Sequence, residues 1–406
     1  PGTIDARFLP AMDSLRAVLT RMVGLAVLPA SLPGNAPGTI DDFCCAPLET
    51  IRGWRFALVW ALTRQILGCR KLEVPDDTQL ARLAASRARY VQRGWEEVKI
   101  QTADGLLLDA MTIEPGLARA RSGSRYARGA SRRGGAPRWV LWIGGNFQKY
   151  EDWLSYFDLY SRDADVGFAA FNFRGVGESE GAVLCCDDLL ADVAACVRHL
   201  TERHGVTADR LLLHGFSLGG SISALYLASP AAPRCALVSD RSFRSLPHAA
   251  HALIRGPHRD PPPRSPRPAA SRPADSSGGG TALLASLAAS LLPWLLHWLR
   301  VLGGTIAVAA LRGLGWELHA EAALEQVAGR KLLLYHREDN VVRYAEAGLH
   351  ASLARQGALE RDASFRAMEI TSYGAEGWAV HDFPLCTHER TWTNLMQGVA
   401  WAFGDQ

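Results

Sequence analysis

Short apolar runs that end in glycine or a turn alternate with stretches of helical spacing from residue 139 onward. The runs are Trp139–Ile143, Gly167–Phe173, Arg210–His214, Ala236–Ser239, Lys331–Tyr335 and Ala367–Ile370. The helical patterns among them are Leu184–Arg203, Ser221–Ala228, Arg343–Gln356 and Thr391–Phe403. Continuous apolar runs are typical of buried parallel strands, and strands that alternate with helices favour a sheet with helices on both faces. The pattern predicts an α/β fold with one doubly wound, mostly parallel sheet.

The chain of 406 residues divides into an N-terminal part and a main domain. Apolar residues in Leu80–Val91 recur near the helical period, which indicates an amphipathic helix. After it, Glu97–Gln101 and Leu106–Ile113 show the alternation of two strands joined by a tight turn. We therefore expect an N-terminal helical extension over residues 1–94 and the sheet domain over residues 95–406.

The composition is that of an ordinary globular protein. Hydrophobic residues make up 48% of the chain and charged residues 21%, so the chain can bury a sizeable core. The formal net charge is only +3, but residues 115–137 are rich in Arg, Gly and Ser. Such a run can contact nucleic acid or anionic lipid, or it can be a solvated insertion. We favour a flexible insertion and expect no nucleic-acid partner.

The eight cysteines include no C-x-x-C pair, and no histidines accompany them at zinc-binding spacing. A chain of this length needs no disulfides for stability, so we interpret the cysteines as reduced residues with mainly a packing role. This interpretation favours a reducing compartment. Nothing in the residue pattern requires a metal ion or an organic cofactor.

The segment Gly215-Phe216-Ser217-Leu218-Gly219-Gly220 follows an apolar run and precedes a helical pattern. In that setting G-x-S-x-G places its serine on a strained turn between strand and helix. Larger side chains two residues to either side would collide with the turn, which explains Gly215 and Gly219. The N–H groups at the start of the helix favour negative charge. We therefore predict that Ser217 is a nucleophile in a nucleophile elbow and that the Leu218 N–H is a donor of the oxyanion hole.

A serine hydroxyl needs a base to accept its proton, and this kind of site has the chain order Ser, Asp, His. Asp339 follows a predicted strand at the edge where the acid should project. Its neighbour Glu338 is the alternative acid. His381 lies in a predicted loop before the final helix and is our candidate for the base, with His388 as the alternative. The sequence thus predicts a triad of Ser217, Asp339 and His381.

A second oxyanion donor is expected from the loop after the first strand of the alternating region. Gly144-Gly145-Asn146 follows Trp139–Ile143 directly, and acyl-transfer sites take a donor from this location. We predict that the Asn146 N–H is this donor. The two glycines could equally form only a tight turn.

At these positions the chain resembles the bacterial α/β-hydrolases, and most of all the chlamydial CHLPS-type hydrolases and related bacterial effector lipases. The resemblance is carried by Gly145-Asn146, Tyr150-Glu151, Phe171–Ser179, Gly215–Gly220, Asp240–Phe243, Asp339–Val342 and His381–Leu385. It covers about residues 95–406. It implies the sheet, the triad and hydrolysis of esters or lipids, and its D-x-x-V pattern favours Asp339 over Glu338. Gly144 departs from the family, in which many members have histidine before Gly-Asn.

An apolar segment, residues 282–311, has Arg300 as its only charge. Its length allows a membrane helix, but a single crossing would place Ser217 and Asp339 on opposite sides of the bilayer. The segment must then be a lid, an interfacial hairpin or an even number of crossings. We favour an apolar lid that follows a flexible linker rich in Pro, Arg and Ser, the two together covering residues 256–325. A lid suits a fatty-acyl or lipid substrate and allows peripheral membrane contact.

Two hypotheses of function follow. The first is a serine hydrolase that cleaves carboxylic esters or thioesters, of lipid or fatty-acyl type, through an acyl-Ser217 intermediate. The second is a membrane- or host-interacting effector that uses the fold as a scaffold, which the complete triad order disfavours. The expected location is the cytoplasm or, for a secreted effector, a host cell, with peripheral membrane attachment as an alternative.

Overall fold

The computed structural model describes residues 77–117, 137–146, 148–255, 301–313, 315–371 and 379–405. All of them lie in one compact unit, Leu67–Gln406. Residues 1–76 of the predicted extension lie outside the described residues, as do residues 118–136 and 256–300 of the predicted insertions.

Eight strands form a single sheet among the described residues. They are β1 (Glu96–Gln101), β2 (Leu107–Ile113), β3 (Trp139–Ile143), β4 (Gly167–Phe171), β5 (Leu211–Phe216), β6 (Ala236–Asp240), β7 (Lys331–Tyr335) and β8 (Phe365–Glu369). Their order is β1-β2-β4-β3-β5-β6-β7-β8. The pairs β1–β2 and β2–β4 are antiparallel, and the remaining neighbours are parallel. The predicted doubly wound, mostly parallel sheet is therefore confirmed.

The helices of the described residues connect these strands. They are α1 (Asp77–Val91), α2 (Leu154–Ala164), α3 (Cys186–His204), α4 (Leu218–Ala228), α5 (Leu246–Arg255), α6 (Ala320–Leu324), α7 (Tyr344–Ala347), α8 (Leu349–Arg355), α9 (Ala358–Arg361), α10 (Ala379–Asp382) and α11 (Glu389–Ala402). Residues 301–313 are also helical. Short 3₁₀ turns cover Tyr150–Asp152, Ala208–Arg210 and Leu385–Thr387.

The core follows from the alternation of side chains along each strand. One face of the sheet, including Val140 and Trp142 of β3, packs against α2 and α11 in a cluster rich in aromatic residues. On the other face α4 packs against both α3 and α6, and Trp139 contacts His204 at the end of α3. All five residues of β3 are buried, as expected for an inner strand covered on both faces.

Besides shifts of up to three residues at helix ends, two differences from the predicted helices concern the region around the sheet's carboxyl end. The predicted helix Arg343–Gln356 is two helices, because Gly348 takes an extended conformation and forms a bridge with Phe243. The predicted helix Ser221–Ala228 begins three residues earlier, at Leu218. There the two glycines that weaken the helical pattern make close backbone contacts, which offset their low helix propensity.

Candidate active site

Ser217 occupies the sharp turn between β5 and α4. Its backbone lies at φ 51° and ψ −114°, a conformation that non-glycine residues rarely adopt. The Ser217 N–H donates to the carbonyl oxygen of Asp240 at the end of β6, over 2.7 Å. A Cβ atom at Gly219 would lie 2.0 Å from the Ile143 carbonyl oxygen, and one at Gly215 would lie 2.3 Å from the Gly219 carbonyl oxygen. The turn thus needs glycine on both sides of the serine.

Asp339 lies beyond the carboxyl end of β7 and is buried. Its Oδ1 accepts hydrogen bonds from the N–H groups of Val341 and Val342, each over 2.9 Å. These bonds fix the carboxylate and leave Oδ2 free to face the site. Glu338, the alternative acid, is exposed to solvent.

His381 lies on α10 and joins the other two residues. Its Nδ1 is 2.7 Å from Asp339 Oδ2, and its Nε2 is 3.1 Å from Ser217 Oγ. Because an ionised carboxylate only accepts hydrogen bonds, Nδ1 carries the proton, and Nε2 is left to accept the hydroxyl proton of Ser217. The structure therefore brings together all three residues of the predicted triad. The alternative base, His388, instead caps the N-terminus of α11 by accepting from the Thr391 N–H.

The imidazole of His381 also packs against the nucleophile turn. Its ring centroid lies 5.1 Å from that of Phe216, the residue before the serine. Phe216 in turn stacks on Trp142, with centroids 6.3 Å apart. This packing restrains the ring at the distance that proton transfer to Nε2 requires.

The loop after β3 lies beside Ser217. A Cβ atom at Gly145 would be 3.2 Å from the Ser217 Cβ and 2.8 Å from the Phe216 ring. The Gly145 N–H is already engaged, since it donates to Gln148 Oε1 over 2.8 Å. This leaves the next residue, Asn146, as the candidate donor of the loop. The donor roles of Asn146 and of Leu218, the first residue of α4, stay predictions.

Asp240 and Arg241, at the end of β6, form a buried ion pair that sequence reasoning did not assign to the site. Arg241 Nε and Nη2 donate to the two oxygens of Asp240 over 2.8 and 3.1 Å. Burial alone would raise the pKa of Asp240, but the charge and hydrogen bonds of Arg241, together with the neighbouring His214, lower it to about 2. Burial would likewise lower the pKa of Arg241, whereas Asp240 raises it. The pair is therefore ionised at neutral pH.

The described residues contain no group of His, Cys, Asp and Glu side chains that could hold a metal ion. Among the same residues, no helix has both the length and the apolar character needed to cross a membrane.

Residues 147–240 match the model of a hydrolase family described as serine aminopeptidase, S33. The matched region includes Ser217 and ends before the other two residues of the triad. The structure combines this matched region with a mostly parallel sheet, a serine on the turn after β5, an acid after β7 and a base before the last helix. The chain has the α/β-hydrolase fold.

Solved structures of esterases and of an α/β hydrolase resemble this chain at low identity. An esterase from Pyrococcus furiosus is 15% identical, and the match covers 76% of this chain and 92% of that chain with a TM-score of 0.47. An α/β hydrolase from Vibrio vulnificus is 16% identical, with 92% and 97% coverage and a TM-score of 0.49. An esterase from Exiguobacterium antarcticum is 14% identical, with 75% and 99% coverage and a TM-score of 0.44. The substrate must be inferred from the site.

Proposed function

We propose that this protein is a serine hydrolase that cleaves carboxylic esters or thioesters through an acyl-Ser217 intermediate. The observation that carries the proposal is the double engagement of His381, with Asp339 on Nδ1 and the Ser217 hydroxyl on Nε2. Because Nδ1 carries the proton, Nε2 can act as a general base toward the hydroxyl.

In the first half of the reaction, Ser217 Oγ attacks the carbonyl carbon while its proton passes to His381 Nε2. The negative charge that develops on the carbonyl oxygen is stabilised by the N–H groups proposed above, those of Leu218 and Asn146. His381 then donates its proton to the leaving alcohol or thiol, and the acyl group stays on Ser217. Asp339 stabilises the transient imidazolium throughout.

In the second half, water replaces the leaving group. His381 Nε2 takes a proton from the water, whose oxygen attacks the acyl carbon, and then returns the proton to Ser217 Oγ as the carboxylic acid leaves. The steps use only residues of the chain and water.

The substrate class within the esters is a further part of the proposal. The apolar segment 282–311 suggests a fatty-acyl or lipid ester, with the segment as a lid that contacts a membrane surface. Residues 282–300 lie outside the described residues, and Leu302 and Ile306 are exposed on the helical stretch that follows. The narrower resemblance to CHLPS-type hydrolases and effector lipases points the same way. It also suggests action in a host cell after secretion, while the alternative is a cytoplasmic enzyme.

The proposal is tested with a fluorophosphonate probe on the wild type and on Ser217→Ala, with the labelled residue located by mass spectrometry. We expect labelling of Ser217 in the wild type and none in the variant. A folded wild type that is not labelled would contradict the proposal and favour the scaffold hypothesis, in which triad variants keep the biological effect.

Turnover assays then separate the substrate classes. p-Nitrophenyl esters of short and long chains, a thioester and an aminoacyl p-nitroanilide are compared at equal concentration. We expect hydrolysis of the esters, with a higher kcat/KM for longer acyl chains if the lipid part of the proposal holds. Faster hydrolysis of the anilide would instead indicate a peptidase.

A further inference from the structure

The catalytic base stands on a very short element. α10 has only four residues, Ala379–Asp382, and an isolated helix of that length has no stability of its own in water. His381 must therefore be held in place by contacts from outside its own helix.

Arg241 supplies two such contacts to the backbone. Its Nη1 donates to the carbonyl oxygen of His381 over 2.6 Å and to that of Phe383 over 2.9 Å. One guanidinium nitrogen thus holds the chain at the base and again two residues later. Hydrogen bonds from a charged donor are the stronger kind, and this donor is buried, with 4% of the residue exposed.

The same segment of chain holds the nucleophile. The carbonyl oxygen of Asp240 accepts from the Ser217 N–H over 2.7 Å, and Ser242 Oγ donates to the Ser217 carbonyl oxygen over 2.8 Å. The backbone N–H of Arg241 donates to the carbonyl oxygen of Leu334 in β7 over 2.8 Å, which attaches the segment to the sheet. The residues Asp240–Ser242 at the end of β6 therefore hold Ser217 on one side and His381 on the other.

The geometry of Arg241 requires an arginine. Nε and Nη2 bind Asp240, Nη1 bridges the two carbonyl oxygens, and the guanidinium carbon lies 4.7 Å from the centroid of the Phe216 ring. A lysine has a single ammonium group and cannot make the fork to Asp240 and the bridge at once. The backbone of Arg241 is in the left-handed region, at φ 50°, a strained conformation of the kind that concentrates at functional sites.

We propose that Arg241 is a positioning residue that sets the distance between His381 and Ser217 for proton transfer. The inference rests on the proposed serine-hydrolase function, because it assigns Arg241 a role in the same reaction. Because the Arg241 side chain is buried, we expect it to make no contact with the substrate. Its effect should therefore appear in the chemical step and not in substrate binding.

The test compares Arg241→Lys with the wild type and with Arg138→Lys. Arg138 also makes a bidentate ion pair, with both Nη atoms 2.6 Å from the oxygens of Asp405. It directly precedes β3, however, and so lies at the amino-terminal end of this strand, whereas the triad lies at the carboxyl ends of the strands. For each protein, the melting temperature, the rate of fluorophosphonate labelling of Ser217, and kcat and KM for a p-nitrophenyl ester are measured.

We expect Arg241→Lys to lower kcat and the labelling rate about 10- to 100-fold, since displacements near 1 Å have effects of this size, while KM changes little. Arg138→Lys should keep the wild-type kcat whatever its melting temperature. Arg241→Lys with a wild-type kcat would overturn the inference and leave the proposed function standing. A folded wild type without labelled Ser217 would overturn both.

A second variant serves if Arg241→Lys does not fold. Asp240→Asn combined with Arg241→Gln removes both charges of the buried pair together, so neither charge is left buried without its partner. It keeps the Asp240 backbone carbonyl that holds Ser217. We expect a folded protein with the same loss of kcat, and a wild-type kcat would overturn the inference.

Discussion

Asp339 holds His381 with one carboxylate oxygen and holds its own turn with the other. Oδ2 lies 2.7 Å from His381 Nδ1, while Oδ1 accepts from the backbone of Val341 and Val342. The two oxygens thus have separate tasks, one toward the base and one toward the fold. A substitution that changes only the first task separates catalysis from stability.

Asp339→Asn is that substitution. The amide oxygen can still accept from Val341 and Val342, but the amide nitrogen then faces His381 Nδ1 and favours the wrong tautomer of the ring. We expect kcat to fall about 10³- to 10⁴-fold with a small change in melting temperature. Steady-state kinetics on an ester and a thermal melt check this.

Glu338→Gln is the matched control, because Glu338 is the adjacent acid and is exposed. It should keep kcat and KM at wild-type values. If Glu338→Gln removed the activity and Asp339→Asn did not, the acid would be assigned to the wrong residue.

Gly219→Ala tests the closeness of the nucleophile turn to the loop after β3. The added methyl group would lie 2.0 Å from the Ile143 carbonyl oxygen and 2.6 Å from that of Gly144. Either the turn or the loop must shift, so we expect a loss of about 1–3 kcal/mol or more in the free energy of unfolding and a large loss of kcat. Urea unfolding and ester hydrolysis measure both.

Gly313→Ala is the control for Gly219→Ala. Among the described residues, no atom outside its own helix lies within 4 Å of a Cβ atom built at Gly313, and this residue is at the end of the helical stretch 301–313. We expect unchanged activity and a change in stability of at most about 1 kcal/mol. Equal losses in the two variants would contradict the steric explanation.

Sequence pattern, chain order and the family resemblance together predicted the candidate residues of this site. β3 and β7 have the same bounds as the apolar runs Trp139–Ile143 and Lys331–Tyr335, because buried strands must be apolar on both faces. The chain order of the three triad residues follows from the fold and needs no knowledge of distances. The structure brings these three residues together, and their catalytic roles stay a prediction.

The contacts around the triad could not be predicted in the same way. The bonds of Arg241 join residues 140 and more positions apart in the chain, and nothing local marks Arg241 as the partner of His381. The one signal was the resemblance over Asp240–Phe243, which gave no role. Similarly, the break at Gly348 depends on its bridge to Phe243, a long-range contact that overrides helical spacing.

Arg87 and Glu151 attach α1 to the turn that follows the loop after β3. Arg87 Nη1 lies 2.9 Å from Glu151 Oε1, and the Glu151 side chain is fully buried. Burial raises the pKa of Glu151, whereas the hydrogen bond from Asn172 and the charge of Arg87 oppose this. Arg87→Met would leave a buried carboxylate without its cation. We expect a loss of about 3–5 kcal/mol in the free energy of unfolding, measured by urea denaturation.

The double variant Arg87→Met, Glu151→Gln isolates the pair in a thermodynamic cycle. The neutral amide can still accept from Asn172 Nδ2, which donates to Glu151 Oε2 over 3.0 Å. We expect the double variant to recover part of the stability lost in Arg87→Met. If the losses of the two single variants simply added, the ion pair would contribute nothing specific to holding α1.

His350 makes the stability depend on pH. Its ring stacks on Tyr335 with centroids 3.6 Å apart, and its Nδ1 lies 2.9 Å from the Tyr344 hydroxyl. Burial, followed by the positive charge of Arg337, lowers the pKa of His350 to about 4, below its ordinary value of 6.5. As the pH falls from about 6.5 to about 4, the unfolded chain binds this proton before the folded protein does, so stability decreases over this window.

His350→Phe keeps the stacking and cannot titrate. Urea midpoints measured between about pH 7 and about pH 4 should therefore fall less in His350→Phe than in the wild type, and parallel curves would show that His350 is not the titrating group.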